Sequence, residues 1–275
     1  MTTATTRANT VPTGPPTGSP AGTTARGRLT ALGRAELTLL LRNRTAVFVA
    51  LLMPAAMVLA MKSTFEQIDL DGTGLTVAGA ALTGGIGTVL IQAVYMNMAA
   101  TYVARREELV LKRLRTGEIT DGEILTGTAL PAGALALAQT VLIVAAGTAF
   151  FGLGAPERPE LLLLGLVMGL VLLTALGAAT SVITRTVQTA QLTTLPLFFA
   201  SMVGSGLFVP LEIFPDRLAS VCELLPLTGV MTLVRAGWLG GAQGTDLLGA
   251  ALAGLVWTAL AVFAVLRWFR WDPRR

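Results

Sequence analysis

Long uncharged stretches alternate with short charged segments along most of this chain. Six of the uncharged stretches are mostly apolar and cover residues 45–61, 76–103, 124–151, 161–184, 188–209 and 247–266. A helix needs about 20 apolar residues to cross the hydrocarbon layer of a bilayer, and these stretches reach or approach that length. The pattern therefore predicts an all-α membrane protein with six transmembrane helices, in a transmembrane domain that covers residues 28–270.

The segment before the first predicted span divides into two parts. Residues 1–27 are rich in Thr, Pro, Gly and Ala and have no apolar core, which predicts a disordered tail. Residues 28–44 place four leucines on one helical side: Leu29, Leu32, Leu39 and Leu40. This second part is predicted to be an amphipathic connecting helix that lies at the membrane surface before the first span.

A short, densely charged loop at residues 105–123 separates the second predicted span from the third. Read as a helix, it places three apolar side chains on one face: Val110, Leu111 and Leu114. The opposite face is charged: Glu108, Lys112 and Arg115. Gly117 is a plausible helix stop, and Thr120 and Glu123 have the spacing of a capping box that opens the next helix. The pattern is also that of a charged loop that only fixes topology.

Lysine and arginine predict the orientation of the chain, because the cytoplasmic loops of membrane proteins carry an excess of both. With both termini inside, only four of the 20 Lys and Arg residues fall outside: Lys62, Arg158, Arg217 and Arg235. The bias predicts cytoplasmic N- and C-termini and places residues 105–123 in the cytoplasm.

Composition narrows the chemistry that the chain itself can perform. Only 13% of its residues are charged and 53% are hydrophobic, which is typical of a membrane protein and not of a nucleic-acid-binding one. It has no histidine, a single cysteine (Cys222) and no Gly-x-x-x-x-Gly-Lys-Ser/Thr phosphate loop. No acid or base lies within a predicted span, so a proton relay lacks its parts. Any energy that the protein uses must therefore come from a partner or a gradient.

Two further features are candidates for function. Three polar side chains lie inside predicted spans and are candidates to line a path, although such residues commonly only join helices: Gln92, Asn97 and Gln139. Residues 210–241 precede the last span and contain an uncharged run, residues 224–234, that is too short to cross a bilayer. They predict a re-entrant or interfacial element at the outer surface, called the outer hairpin below, and its candidate residues are Pro210, Glu212, Pro215, Pro226 and Arg235.

Three stretches of this sequence resemble the type 2 ABC exporter permeases. The first is REELVLKRLRTGEITDGEILTG, which begins at Arg106, and the second is SGLFVPLEIFPDRLASVCELLPLTGVMTLVRAGWLGG, which begins at Ser205. The third, AELTLLLRNRTAVFVALLMP, is similar to the family's connecting helix and first span. The first stretch departs from the usual sequence of the family on both sides of its Lys-Arg-Leu core. The family commonly has Gly-Thr-Leu before the Lys-Arg-Leu core and a proline after it, whereas this chain has Leu109-Val110-Leu111 and Gly117-Glu118-Ile119.

The resemblance implies a permease that pairs with a second copy of itself and with two copies of an ABC ATP-binding subunit. ATP and magnesium would be bound by that partner subunit, and this chain would carry no cofactor, metal or catalytic site. The segment Glu107–Glu118 would be the coupling helix that seats in a groove of the ATPase. Six residues would carry the contact: Glu107, Glu108, Leu111, Lys112, Arg113 and Leu114.

The resemblance and the uncharged spans together lead to a functional hypothesis. The chain is expected to be the permease subunit of an exporter in the bacterial cell (inner) membrane, and it is expected to move a hydrophobic or amphipathic cargo such as a drug, an antibiotic or a lipid-linked molecule. Multidrug efflux and antibiotic resistance are the expected settings. Two alternatives stay open, a carrier not driven by ATP and a non-transporting sensor or assembly subunit. A membrane enzyme is poorly supported, because this chain lacks a recognisable constellation of reactive side chains.

Overall fold

The computed structural model describes residues 75–116, 120–269 and 271, together with scattered positions between residues 27 and 67. Those positions are residues 27, 34, 38, 42, 48, 52–53, 56, 58–60, 62–63 and 66–67. The predicted tail therefore lies outside the described residues apart from residue 27. Most of the predicted connecting helix and of the first predicted span also lies outside them.

Within the described residues the regular structure is helical throughout. From residue 77 onward the helices are α1 (Val77–Val89), α2 (Asn97–Glu107), α3 (Val110–Arg115), α4 (Asp121–Phe151), α5 (Pro159–Ile183), α6 (Val187–Gly204), α7 (Asp216–Glu223), α8 (Pro226–Leu239) and α9 (Gly244–Trp268). A π-helical turn (Leu90–Met96) joins α1 to α2 without a break, and a 3₁₀ turn (Leu211–Ile213) precedes α7. The all-α prediction is confirmed for this part of the chain.

Four helices in the described part of the chain are long and apolar enough to cross a membrane. They are Val77–Glu107 (α1, the π turn and α2 together, called the central span below), α4, α5 and α9. The helices α7 and α8 make a fifth if the pair counts as one span, and they meet at a bend of 97°. The predicted span at residues 188–209 corresponds to α6, which carries several Gln and Thr side chains and is not among the four. The described residues thus support four of the six predicted spans, and the possible fifth, α7–α8, lies in the predicted outer hairpin.

The central span lies in the middle of the helix bundle. About 78% of its most apolar window is buried, and α4, α5, α6 and α8 pack around it. The core is built from its large side chains together with those of α5 and α8, and Tyr95, Leu90 and Leu172 are among the fully buried ones. The last span, α9, packs on α5 and α8 at the outside of the bundle.

Close helix packing depends on glycine at a few positions. A methyl group at Gly177 of α5 would lie 3.0 Å from the Tyr95 carbonyl oxygen and 3.1 Å from the Ala99 nitrogen, both backbone atoms of the central span. Gly165 and Gly169 of α5 are similarly tight against α8, with Val234 and Val230 beside them. Small residues of this kind let membrane helices approach each other at backbone distance.

The bundle has two ends with different structures. At one end, called the loop end below, the central span passes through α3 into α4, and the turn between α5 and α6 lies beside it. At the other, called the hairpin end, α7 and α8 form the bent pair, and the loop before α5 pairs with the end of α8 through Arg158 N–H and the Gly237 carbonyl oxygen, 2.9 Å apart.

Candidate functional site

The charged loop folds as a short helix between two spans, but the helix is shorter than predicted. The sequence predicts a coupling helix over Glu107–Glu118, whereas Glu107 ends α2 and α3 covers only Val110–Arg115. The predicted capping box is confirmed: Thr120 N–H donates to Glu123 Oε2 at 2.8 Å, and Glu123 N–H donates to Thr120 Oγ1 at 3.4 Å. Residues 117–119, which include the predicted helix stop, lie outside the described residues.

The break between α2 and α3 is made by a leucine in the left-handed conformation. Leu109 has φ = 59°, and among the described residues it is the only non-glycine with a positive φ. A side chain in this region costs about 1–2 kcal/mol because its Cβ approaches the following carbonyl oxygen. Leu109 occupies the position where the family that the sequence resembles commonly has glycine. The departure therefore adds backbone strain at the entry to α3.

The six predicted coupling residues divide into an exposed set and an internal one. Four charged side chains are exposed: Glu107, Glu108, Lys112 and Arg113. Leu114 is half-buried. Leu111 is 0% exposed, because α3 packs against α2 and α4 of the same chain. Leu111 thus belongs to the interior of this chain, and the sequence-based interpretation of it as a surface contact needs this correction.

A second set of contacts fastens α3 to the C-terminal end of the chain. Arg115 Nε lies 3.0 Å from Asp121 Oδ1, and the guanidinium carbon lies 4.9 Å from the centre of the Trp271 ring. Trp271 packs edge-on against Phe269, with ring centres 5.0 Å apart, and Phe269 packs edge-on against Tyr102 of the central span at 6.1 Å. The helix α3, the C-terminal end of the last span and the central span therefore meet in one cluster at the loop end.

Arg106 is buried at the end of the central span, and sequence reasoning missed its role. Its side chain is 1% exposed, although the sequence-based interpretation grouped it with the other basic residues of the loop. Its guanidinium donates to the Ser181 carbonyl oxygen at 2.9 Å and to the Thr184 carbonyl oxygen at 2.6 Å. The available signal was its position four residues after Tyr102, which continues the buried stripe of the helix.

An exposed polar strip runs along the central span. In the π turn, the backbone N–H of Asn97 donates to the Gln92 carbonyl oxygen five residues earlier, so both side chains fall on one face, and both are exposed. Thr101 continues the strip, with its hydroxyl 3.4 Å from Asn97 Oδ1. Gln139, the third path candidate, lies on α4 and is only 5% exposed, so it belongs to the packed interior. π-helical turns are rare and often occur at functional sites.

The hairpin end is held together by polar contacts to backbone carbonyls. Arg235 donates to the carbonyl oxygen of Gly206, a residue with φ = 73°, and the Thr228 hydroxyl donates to the Cys222 carbonyl oxygen at 2.7 Å. Thr228 Oγ1 also lies 3.1 Å from the Ser205 hydroxyl oxygen. A cavity of about 600 Å³ lies beside these contacts, and its lining includes Arg235 and three acidic side chains: Asp216, Glu223 and Asp246.

The prolines of the hairpin shape its turns. Pro226 is buried and occupies the first turn of α8, where its missing N–H costs nothing. Pro215 precedes α7 and is exposed, Pro210 is buried before the 3₁₀ turn, and Glu212 lies within that turn. These positions are consistent with the predicted re-entrant hairpin. In the described part of the chain, no three His, Cys, Asp or Glu side chains group as metal ligands.

The chain is similar to known membrane transport proteins over most of its length. The family model of the ABC-2 type transporters matches residues 28–239, which include the central span, the charged loop around α3 and the bent pair. The linearmycin resistance permease protein LnrN of Bacillus subtilis (strain 168) is 27% identical over 194 residues. That match covers 70% of this chain and 49% of the relative, so the chain spans about half the length of the curated protein that it matches.

Proposed function

The chain belongs to the ABC-2 type transporter family, and we propose that it is the permease subunit of an ATP-driven exporter. Membership of the family makes it a membrane transporter subunit that is not itself catalytic. The energy would come from two copies of an ABC ATP-binding subunit, which would hold ATP and magnesium. One observation carries the proposal: a short helix with an exposed charged surface packs against two spans at the loop end.

The docking surface for the ATPase is proposed to be the exposed charged side chains around α3. Glu107, Glu108, Lys112 and Arg113 point away from the bundle, while Leu111 anchors α3 to it from within. Charges of both signs on a small surface suit a partner with complementary charge, which sets register and specificity. Motion of an ATPase seated there would pass to α2 and α4 as a rigid-body displacement.

The transport path is proposed to run along the polar strip of the central span, between this chain and a second copy. Gln92 and Asn97 are exposed on a helix that is otherwise mostly buried, and polar side chains facing lipid are costly. A second copy that presents the same strip would cover both and enclose a path with few polar groups. Such a path suits a hydrophobic or amphipathic cargo, and the matched relative is named for linearmycin resistance.

The orientation that follows places the loop end and both termini in the cytoplasm of a bacterial cell, with the hairpin end outside the inner membrane. In this arrangement the bent pair α7–α8 is a re-entrant hairpin, and α6 together with the first predicted span completes the set of six. The positive-inside distribution of Lys and Arg supports this orientation.

The test is purification of the chain from its native membrane in mild detergent, followed by mass spectrometry and an ATPase assay. We expect an ATP-binding subunit to co-purify, and the double change Lys112→Glu and Arg113→Glu to reduce its recovery at least about tenfold, because the reversed charges face an unchanged partner surface. The matched control is Arg217→Glu, an exposed charge at the hairpin end.

Leu111 is unsuitable for this test, since a charge there would disrupt the permease interior and mimic a lost interface. Folded, monodisperse wild-type protein that never retains an ATPase would overturn the exporter function. The carrier not driven by ATP and the sensor or assembly subunit would then be the functions to examine.

A further inference from the structure

Arg106 is a fully buried cation at the boundary between the central span and the docking surface. It is the last residue of the span before the exposed charges begin at Glu107, and 1% of its surface is accessible. Burial of a guanidinium is costly unless hydrogen bonds and opposite charge compensate it. A charge kept there against that cost needs a structural reason.

The compensation is supplied by the end of another helix. Ser181 lies in the last turn of α5 and Thr184 is its C-cap, so their carbonyl oxygens have no acceptor role within the helix. The C-terminal end of a helix also carries a partial negative charge, which favours a cation. Arg106 occupies this position with two nitrogens on two carbonyls, at 2.9 and 2.6 Å. The planar guanidinium fork fixes the orientation of the Arg106 side chain in a way that the single ammonium group of a lysine could not.

The contact joins parts of the chain that are distant in sequence. Thr184 is followed at once by Arg185 and by Thr186, whose side chain caps the N-terminus of α6. The guanidinium therefore holds the end of the central span, next to the docking charges, against the turn that leads from α5 into α6. The helix α6 also packs against α2, so the turn and the central span are neighbours on two sides.

We propose that Arg106 is a positioning residue that makes the coupling loop and the α5–α6 turn move as one unit. Displacement of the loop by the ATPase would then reach α5 and α6 directly, as well as α2 and α4 through the chain. This role rests on the proposed exporter function, but the attachment itself is a property of the permease alone, and the two can be tested separately.

The attachment is tested by measuring spin-label distances in the purified permease, after Cys222→Ala has removed its single cysteine. Labels at Thr116→Cys and Arg185→Cys, both exposed positions, report the loop-to-turn distance. We expect a narrow distance distribution with Arg106 in place and one at least about twice as broad in Arg106→Gln. Equal widths would overturn the proposal, whether or not an ATPase partner exists.

Transmission is tested in the complex with its ATPase. A second labelled variant, Arg185→Cys with Arg217→Cys, reports the distance from the α5–α6 turn to the hairpin end. In the wild type, nucleotide is expected to change the 185–217 distance and to leave the 116–185 distance constant. In Arg106→Gln, the nucleotide-dependent change is expected to move to the 116–185 pair, with cargo transport per ATP about tenfold lower and ATPase binding unchanged. Wild-type complex that shows no response to nucleotide would count against the exporter function, whereas an Arg106→Gln complex that behaves as wild type would count against this role.

Matched variants separate this role from a general loss of stability. Ser181→Ala and Thr184→Val remove hydroxyls and keep the two carbonyl acceptors, so both are expected to behave as wild type. Should Arg106→Gln fail to fold, Arg106→Lys keeps the charge and loses the fork, and we expect an intermediate width for the 116–185 distribution. A Ser181→Ala variant that reproduces the arginine phenotype, or an Arg106→Lys variant indistinguishable from wild type, would overturn the proposed geometry.

Discussion

The central span and the last span, α9, have similar sequences by hydropathy but opposite environments. The most apolar 18-residue stretch has a mean hydropathy of 1.7 in the central span and 2.2 in the last span. Yet 78% of this stretch is buried within the chain in the central span, and only 17% in the last span. The less apolar helix is the one in the middle. In a bilayer the lipid is as apolar as leucine, so burial follows close packing and polar contacts instead of hydrophobicity.

The side chains of the two spans show how this difference arises. The central span has small residues at its close contacts and a few buried polar groups, such as Tyr102, whose hydroxyl donates to the Leu125 carbonyl oxygen at 2.9 Å. The last span presents large apolar side chains outward: Leu248, Leu252, Leu255, Val256, Leu260, Phe263 and Leu266. Hydropathy locates both spans, and the distribution of small and polar residues distinguishes them.

The largest effect is expected where a side chain is added against the central span. Gly177→Val would place methyl groups against backbone atoms of Tyr95 and Ala99, which cannot rotate away, and we expect a loss of about 3 kcal/mol or more. Gly249→Val is the control, because a Cβ on this exposed residue of α9 meets nothing within 4 Å. The measurement is the temperature at which the single, buried Cys222 becomes reactive to a thiol dye. Equal midpoints for the two variants would contradict the packing difference.

A smaller effect, of the opposite sign, is expected where the central span ends. Leu109→Gly removes the cost of a left-handed leucine at φ = 59°, and we expect stabilisation of about 1 kcal/mol, seen as roughly fivefold slower Cys222 labelling. Leu109→Ala keeps the strained backbone and is expected to give no stabilisation. An alanine variant as stable as the glycine variant would show that the leucine side chain, and not its φ, sets the cost.

The smallest effect on stability is expected at the polar strip, where the consequence falls on transport. Gln92→Leu with Asn97→Leu changes two exposed side chains, and we expect a shift within about 0.5 kcal/mol. Export into proteoliposomes by the complex is nevertheless expected to fall about tenfold, because both side chains would line the path. The control is Leu255→Gln on the exposed face of α9. Transport unchanged in the double variant would remove the strip from the path.

Much of the helix plan could be predicted from the sequence because charge and helix-capping residues mark boundaries. The predicted runs at residues 124–151, 161–184 and 247–266 differ from α4, α5 and α9 by only a few residues at either end. The capping box at Thr120 and Glu123 was predicted from spacing alone and is confirmed. The central helix extends past the predicted end at residue 103, because charge marks the end of an uncharged run and not the end of a helix, and Arg106 is buried within the chain.

The parts that could not be predicted depend on what each face meets. Helical periodicity places Leu111 and Leu114 on one side of α3, but it does not tell whether a partner or the same chain covers that side. The π turn has no sequence signature in Leu90–Met96, since its extra residue is accommodated by packing. The pairing of Arg106 with carbonyls of α5 joins residues 75 and 78 positions apart, a distance that no local pattern reports.

The π turn has a consequence for insertions and deletions in the central span. It holds one more residue than an α-helical turn, so it sets the rotational phase between the two halves of the span. A deletion of one residue in α2 before Arg106 would leave length and hydropathy nearly unchanged but rotate Arg106 by about 100°, away from α5. A deletion within Leu90–Met96 would instead let this turn close as an α-helical turn, in which Asn97 follows Gln92 by four residues and both stay on one face. The rotational phase of the span is therefore constrained more tightly than its length.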